Sequence, residues 1–212
     1  MESPLTKGQR RLLTAAFGRG AEDASLALAR WLGRPVHLVV SAVEQVNLEE
    51  ASEVLGPGET LVAACAMEMR GALDGQLLLV FEDRSGLALV DMLLGQAPGT
   101  STEWGELEQS AAKETANIVG CAYLNSLAAH LPTTVAEPGA LVPGPPSFRH
   151  EFAASLLEFV LMDQAMARDR LLLIKSRFTA ESAALDWSLL FVPGASAFGG
   201  LLAGLPSPDA EP

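Results

Sequence analysis

Apolar residues along this chain recur first at helical spacing and then at strand spacing, and the whole series happens twice. From Gln9 to Leu32, the residues Leu12, Leu13, Ala16, Ala24, Leu28 and Leu32 fall on or near one stripe, which predicts a helix stopped by Gly33. Val36 to Val43 is rich in β-branched residues and predicts a strand. Residues 47–55 are acidic and predict a short helix before the turn Gly56-Pro57-Gly58. Leu61 to Met69 and Leu73 to Phe81 predict two strands joined around Arg70-Gly71, and Gly86 to Leu94 predicts a helix capped by Gly95.

After a linker, QAPGTSTEW (96–104), helical spacing returns over Glu106 to Leu131. This stretch of about seven turns is rich in Ala and Leu, with Gly120 its single glycine. A proline-rich connection, Pro138 to Pro146, precedes three predicted strands at Leu156–Leu161, Leu171–Phe178 and Ala183–Val192. Ala197 to Leu205 predicts a closing helix, and residues 206–212 a disordered tail.

The recurrence is visible in letters as well as in order. Ala72-Leu73-Asp74 followed by Leu77 to Val80 returns as Ala184-Leu185-Asp186 followed by Leu189 to Val192, an offset of 112, and Leu93-Leu94-Gly95 is echoed by Leu202-Ala203-Gly204. Each half reads helix, strand, strand pair, helix, which is the signature of an internal duplication. The expected architecture is α+β: two pseudo-symmetric repeats, 9–95 and 104–205, sharing a continuous sheet with the two long helices packed on it. The chain is thus expected to be one domain over 1–212. Two domains hinged at 96–103 are the less favoured alternative, because halves with strands this apolar complete one another's core.

Composition narrows the chemistry. An apolar share of 49% in 212 residues supports a sizeable core, and a net charge of −12 argues against nucleic acid, whose phosphates require clustered Lys and Arg. No apolar run approaches the roughly 18 residues of a membrane span, and MESPLTKGQRRLL holds no signal core, so a cytoplasmic protein without membrane insertion is expected. Cys65 and Cys121 lack metal-site spacing and read as small hydrophobes; His37, His130 and His150 lie far apart and read as surface or helix-end histidines. No nucleophile elbow, phosphate-binding glycine loop, dinucleotide fingerprint or HExxH pattern occurs, and no metal site is visible.

What remains is a polar stripe on the second long helix. Ser110, Glu114 and Asn117 are spaced four and three apart and share one face, although mid-helix Asn gains nothing from its position. The plain explanation is that a helix lying on a sheet shows polar residues to water. The functional one is that a carboxylate and a carboxamide on a rigid helix reach into a partner: Glu pairs with a cation, and Asn orients a water without titrating.

Ser110-x3-Glu114-x2-Asn117, within E-T-A-N-I-V-G-C-A-Y-L-N-S-L, resembles the helix signature of the CheC/CheX/FliY family of chemotaxis phosphatases. The likeness extends to the duplicated halves and to the strand Gly75 to Phe81. The family signature places a Pro about twenty-two residues after the Asn; here Pro138 follows after twenty, with Pro143 the other choice. The resemblance implies hydrolysis of the aspartyl-phosphate on a CheY-type receiver domain, with Asn117 orienting the attacking water and Glu114 contacting the receiver's lysine. Ser110, Cys121 and Pro138 would border the contact with the partner. The protein would need no cofactor of its own, since the receiver supplies Mg²⁺.

At an offset of 99 the first helix sets Ala15 opposite Glu114, Gly18 opposite Asn117 and Arg11 opposite Ser110, so one working site is expected, in the second half. The resemblance leaves two further readings open. One is a non-catalytic adaptor binding a CheD-type deamidase or a receiver. The other, a flagellar-switch component of the FliY or FliM type, is weaker, since those generally carry an additional binding segment and only a short lead-in precedes the first helix here.

Overall fold

A computed structural model describes residues 5–71, 74–129, 141–162, 171–180 and 183–193. The expected closing helix at 197–205, the tail at 206–212 and Pro138 lie outside these residues. The first long helix, α1 (Lys7–Leu32), begins at a capping box in which Thr6 and Gln9 satisfy each other's backbone N–H groups, and ends at Gly33 in the left-handed region (φ 65°). β1 (Val36–Val46) leads into α2 (Leu48–Leu55), which opens with a second capping box between Asn47 and Glu50. β2 (Leu61–Gly71) and β3 (Gly75–Glu82) pair antiparallel, and α3 (Asp83–Leu93) follows directly, its first turn capped by the Glu82 carboxylate.

The second half restarts with α4 (Glu106–Ala128), then β4 (Leu141–Pro143), β5 (Ser147–Phe152), α5 (Ala153–Met162), β6 (Leu171–Ala180) and β7 (Ala183–Pro193). Among the described residues the strands form one antiparallel sheet in the order β1-β6-β7-β3-β2, with β4 and β5 both pairing with β2. The order is symmetric about the β3–β7 pair: β2 answers β6, and β5 answers β1. The two repeats therefore share a continuous sheet, and the two long helices pack together on one of its faces.

One element differs from expectation. Leu156–Leu161 is not a strand but part of α5, and the strand of that region is β5, Ser147–Phe152, directly after the proline-rich connection. A short apolar run carries no periodicity that separates a strand from a buried helix. The choice is made by β5, which fills the edge beside β2 and leaves the following run to cover the sheet's second face. There α5 meets α2, and Ala153 and Leu156 join Ala51, Leu55, Val62, Val80, Leu173 and Leu190 in a core of their own.

The larger core lies on the opposite face, beneath α1, α3 and α4. α1 and α4 approach closely at Gly20, where a Cβ would stand 2.6 Å from Tyr123 Cδ1 and 2.8 Å from Tyr123 Cα. Phe17 packs its ring edge-on to Tyr123 at 5.6 Å between centroids, and Ser126 Oγ donates to the Ala16 carbonyl at 2.7 Å. α4 lies equally close to the sheet at Gly120, whose missing side chain makes room for Met67 and Leu77.

Gly→Ala in an unconstrained helix stabilises by about 1 kcal/mol. At Gly18, where a Cβ meets nothing within 4 Å, Gly18→Ala is expected to follow that rule. At Gly20 the clash is with backbone, so Gly20→Ala is expected to destabilise by about 1–3 kcal/mol. Thermal or denaturant unfolding of the two variants checks the opposite signs.

Candidate functional site

α4 is enclosed on most of its circumference. α1 packs along one side, the sheet lies beneath, and α3, β4 and β5 approach from the other side. The positions facing these neighbours are small or apolar: Ala111, Ala112, Ala116, Val119, Gly120, Tyr123, Leu124 and Leu127 are all buried, as is Thr115, whose hydroxyl donates back to the Ala111 carbonyl at 2.9 Å. What the helix leaves to solvent is a narrow ridge at three- and four-residue steps. Leu107, Ser110, Glu114 and Asn125 are exposed on it, and Asn117 and Cys121 are half-buried.

The structure thus brings Ser110, Glu114, Asn117 and Cys121 together on one ridge, while Pro138 is outside the described residues. Cys121 Sγ donates to Asn117 Oδ1 at 3.7 Å, a turn of helix apart. Partial burial, and secondarily the charge of Glu114, push the Cys121 thiol above its ordinary pKa. Cys65 is the buried small hydrophobe expected of it, 1% exposed, with burial raising its pKa to about 12 against the opposing pull of Lys113. Cys121 departs from that reading because it sits on the open ridge. Among the described residues no cluster of His, Cys, Asp or Glu is arranged to hold a metal ion.

The first helix carries the same packing without the same chemistry. At the offset of 99, buried Leu13, Ala16, Phe17, Ala21, Ala24 and Leu28 match buried Ala112, Thr115, Ala116, Gly120, Tyr123 and Leu127. The corresponding ridge of α1 presents exposed Arg11 and Ala15, and Gly18 opens onto empty space. A carboxylate and a carboxamide one turn apart therefore stand on α4 and not on α1.

Two polar clusters that sequence reading missed hold the start of α4 in place. Asp91 is fully buried, yet its carboxylate accepts from the backbone N–H groups of Gly99, Thr100 and Ser101 at 2.7, 2.9 and 2.9 Å. Burial alone would raise its pKa, but hydrogen bonding from Ser101, Gly99 and Thr100 outweighs it and holds the carboxyl below its usual range. This fastens the 95–101 loop, which delivers the chain into α4. Asp83 Oδ1 accepts from Trp104 Nε1 at 2.8 Å and pairs with His150 Nε2 at 2.8 Å, tying α3 and β5 to the residue before the helix cap. The surface reading of His150 holds, with a partner. The available signal was Asp91 itself, a carboxylate inside the apolar run Val90-Asp91-Met92, which must be satisfied if buried.

Clefts of about 480, 790 and 470 Å³ are lined from Ser41 and Lys175, from Glu68 and Gly144, and from Asp83 and Thr102 respectively, and by no residue of the α4 ridge. A line of exposed side chains along one helix suits a macromolecular surface better than an enclosed small molecule. Among the described residues no helix is long and apolar enough to cross a membrane.

No protein-family model matches the chain. Its fold, however, is that of solved FliY and FliM proteins. FliY from Thermotoga maritima superposes with a TM-score of 0.68 at 16% identity, covering 89% of this chain and 91% of that one. The FliM middle domain from H. pylori superposes with a TM-score of 0.67 at 14% identity, covering 95% and 100%. FliM in the FliG-FliM complex from H. pylori gives a TM-score of 0.66 at 13% identity, covering 94% and 100%. The chain has the FliY and FliM middle-domain fold.

Asp91→Asn is expected to destabilise by about 2–3 kcal/mol, since it replaces a fully hydrogen-bonded buried carboxylate. Because the folded pKa is depressed, the Asp91 contribution is complete above the unfolded carboxylate value of about 4 and is lost as pH falls through the folded value. Denaturant unfolding between pH 3 and 7 should therefore show a shallower acid loss in the variant.

Proposed function

We propose that this protein is a phosphatase of the CheC/CheX/FliY kind, hydrolysing the aspartyl-phosphate of a CheY-type receiver domain through the α4 ridge. The observation that carries the reading is the placement of Glu114 and Asn117 on the one open strip of an otherwise enclosed helix. The FliY-like fold and the signature spacing support it.

An aspartyl-phosphate is already activated, so most of what remains for a catalyst is to set a water in line with the phosphorus. In this reading Asn117 enters the receiver's site and hydrogen-bonds that water through its carboxamide, which keeps the same charge at any physiological pH. Glu114 pairs with the receiver's lysine and fixes the register of the helix, with Ser110 bordering the contact. The Mg²⁺ belongs to the phosphorylated receiver and balances phosphate charge there, so this chain contributes position rather than a cofactor. Such a receiver places the reaction in the cytoplasm. Acceleration arises only from contacts made when the water is in line, so loss of Asn117 falls on the rate more than on binding.

The likeness to FliM in the FliG-FliM complex favours a second reading, an interaction module without catalysis. A CheD-type deamidase or a receiver domain would be its partner.

One assay separates the two: loss of phosphate from a phosphorylated CheY-type receiver with and without this protein. Wild type is expected to speed the loss, Asn117→Ala to abolish the acceleration with its fold intact, and Glu114→Gln mainly to raise KM. Binding of the receiver with no acceleration by wild type would replace the phosphatase with the interaction module.

A further inference from the structure

Resting on the phosphatase reading, we infer that Cys121 is a positioning residue for Asn117: its S–H selects which end of the carboxamide faces down the helix and which faces the partner.

A carboxamide is nearly isosteric under a half-turn about its last torsion, so shape alone leaves its oxygen and its NH₂ interchangeable. A neighbour that pairs better with one end of the carboxamide than with the other separates the two orientations. Asn117 has such a neighbour in Cys121, whose Sγ lies 3.7 Å from Oδ1 and which sits four residues on along the ridge. A protonated thiol can turn its S–H onto the strongly accepting carboxamide oxygen, whereas an NH₂ group turned toward it would find only the weakly accepting sulfur. Burial and the Glu114 charge both disfavour the thiolate, so the donor is retained at neutral pH. The selected orientation holds Oδ1 by one lone pair on the Cys121 side and leaves its second lone pair, with the NH₂ group, for the incoming partner.

The arrangement is specific to the second half. In α1 the position matching Cys121 is Glu22, an acceptor, and the position matching Asn117 is Gly18, so neither member of the pair is present there. The other cysteine, Cys65, is buried in β2 within the large core and takes no part. Cys121 does not touch the phosphate in this scheme; it acts through Asn117 alone.

Two variants and two readouts test this. Cys121→Ala removes the donor, whereas Cys121→Ser keeps a hydroxyl donor at the same place. In ¹⁵N-edited NMR, the side-chain NH₂ of Asn117, assigned by its loss in Asn117→Ala, is expected to be ordered in wild type and Cys121→Ser and more mobile in Cys121→Ala. Equal mobility in all three would overturn the inference whether or not the protein is a phosphatase. In the receiver assay, Cys121→Ala is expected to lower kcat about three- to tenfold with KM unchanged, and Cys121→Ser to restore it. An unchanged kcat in Cys121→Ala, or an equal loss in both variants, would reduce Cys121 to packing. Failure of wild type itself to accelerate phosphate loss would instead remove the phosphatase reading, leaving the NMR result to decide the positioning.

Discussion

The close crossing of the two long helices is the constraint on which the rest of this structure depends. At Gly20 there is no room for even a methyl group, because the backbone and ring of Tyr123 occupy that space. Tyr123 is 0% exposed and serves three elements at once: it belongs to α4, stacks edge-on with Phe17 of α1, and places its hydroxyl 3.1 Å from Ser176 Oγ on β6. Burial pushes its pKa up to about 12, so it stays a neutral phenol that can hydrogen-bond inside the core. A helix pinned this way cannot roll, and its outward ridge keeps one orientation.

The same crossing explains how the two halves of a duplicated fold can present different ridges over the same packing. Packing demands small or apolar residues on the enclosed sides of both helices, and both halves meet that demand at matching positions. No ridge residue of either helix belongs to the core, so Ala15 and Gly18, like Glu114 and Asn117, affect folding through helix propensity rather than packing. The core and the proposed site therefore use different strips of the same helix, and each strip can change independently of the other.

The site is a surface, and its precision has to come from outside the ridge. α4 begins at Gly105 without a side-chain cap, so its start is held by neighbours. Asp91 gathers three backbone N–H groups of the approaching loop, and Asp83 anchors Trp104 from the start of α3. Each is a buried or half-buried carboxylate whose hydrogen-bonding capacity is spent on backbone, indole or imidazole groups, a rigid way to fix a helix end. The acidic first turn, Glu106 and Glu108, adds charge of the favourable sign for a helix N-terminus.

Periodicity by itself determined the long helices, the stop of α1 at Gly33, most of the strands and the duplication, because each is written in local spacing that survives in one dimension. The ridge of Ser110, Glu114 and Asn117 was equally legible, since three- and four-residue steps on a helix fix a common face wherever that helix packs. Tertiary structure alone decided the identity of residues 156–161. Their apolarity suits either a strand or a helix, and the outcome followed from β5 taking the edge beside β2. It also decided that Asp91 is satisfied by backbone groups eight to ten residues away. Those outcomes depend on which elements cover one another. That is a property of the packed chain, and no local pattern encodes it.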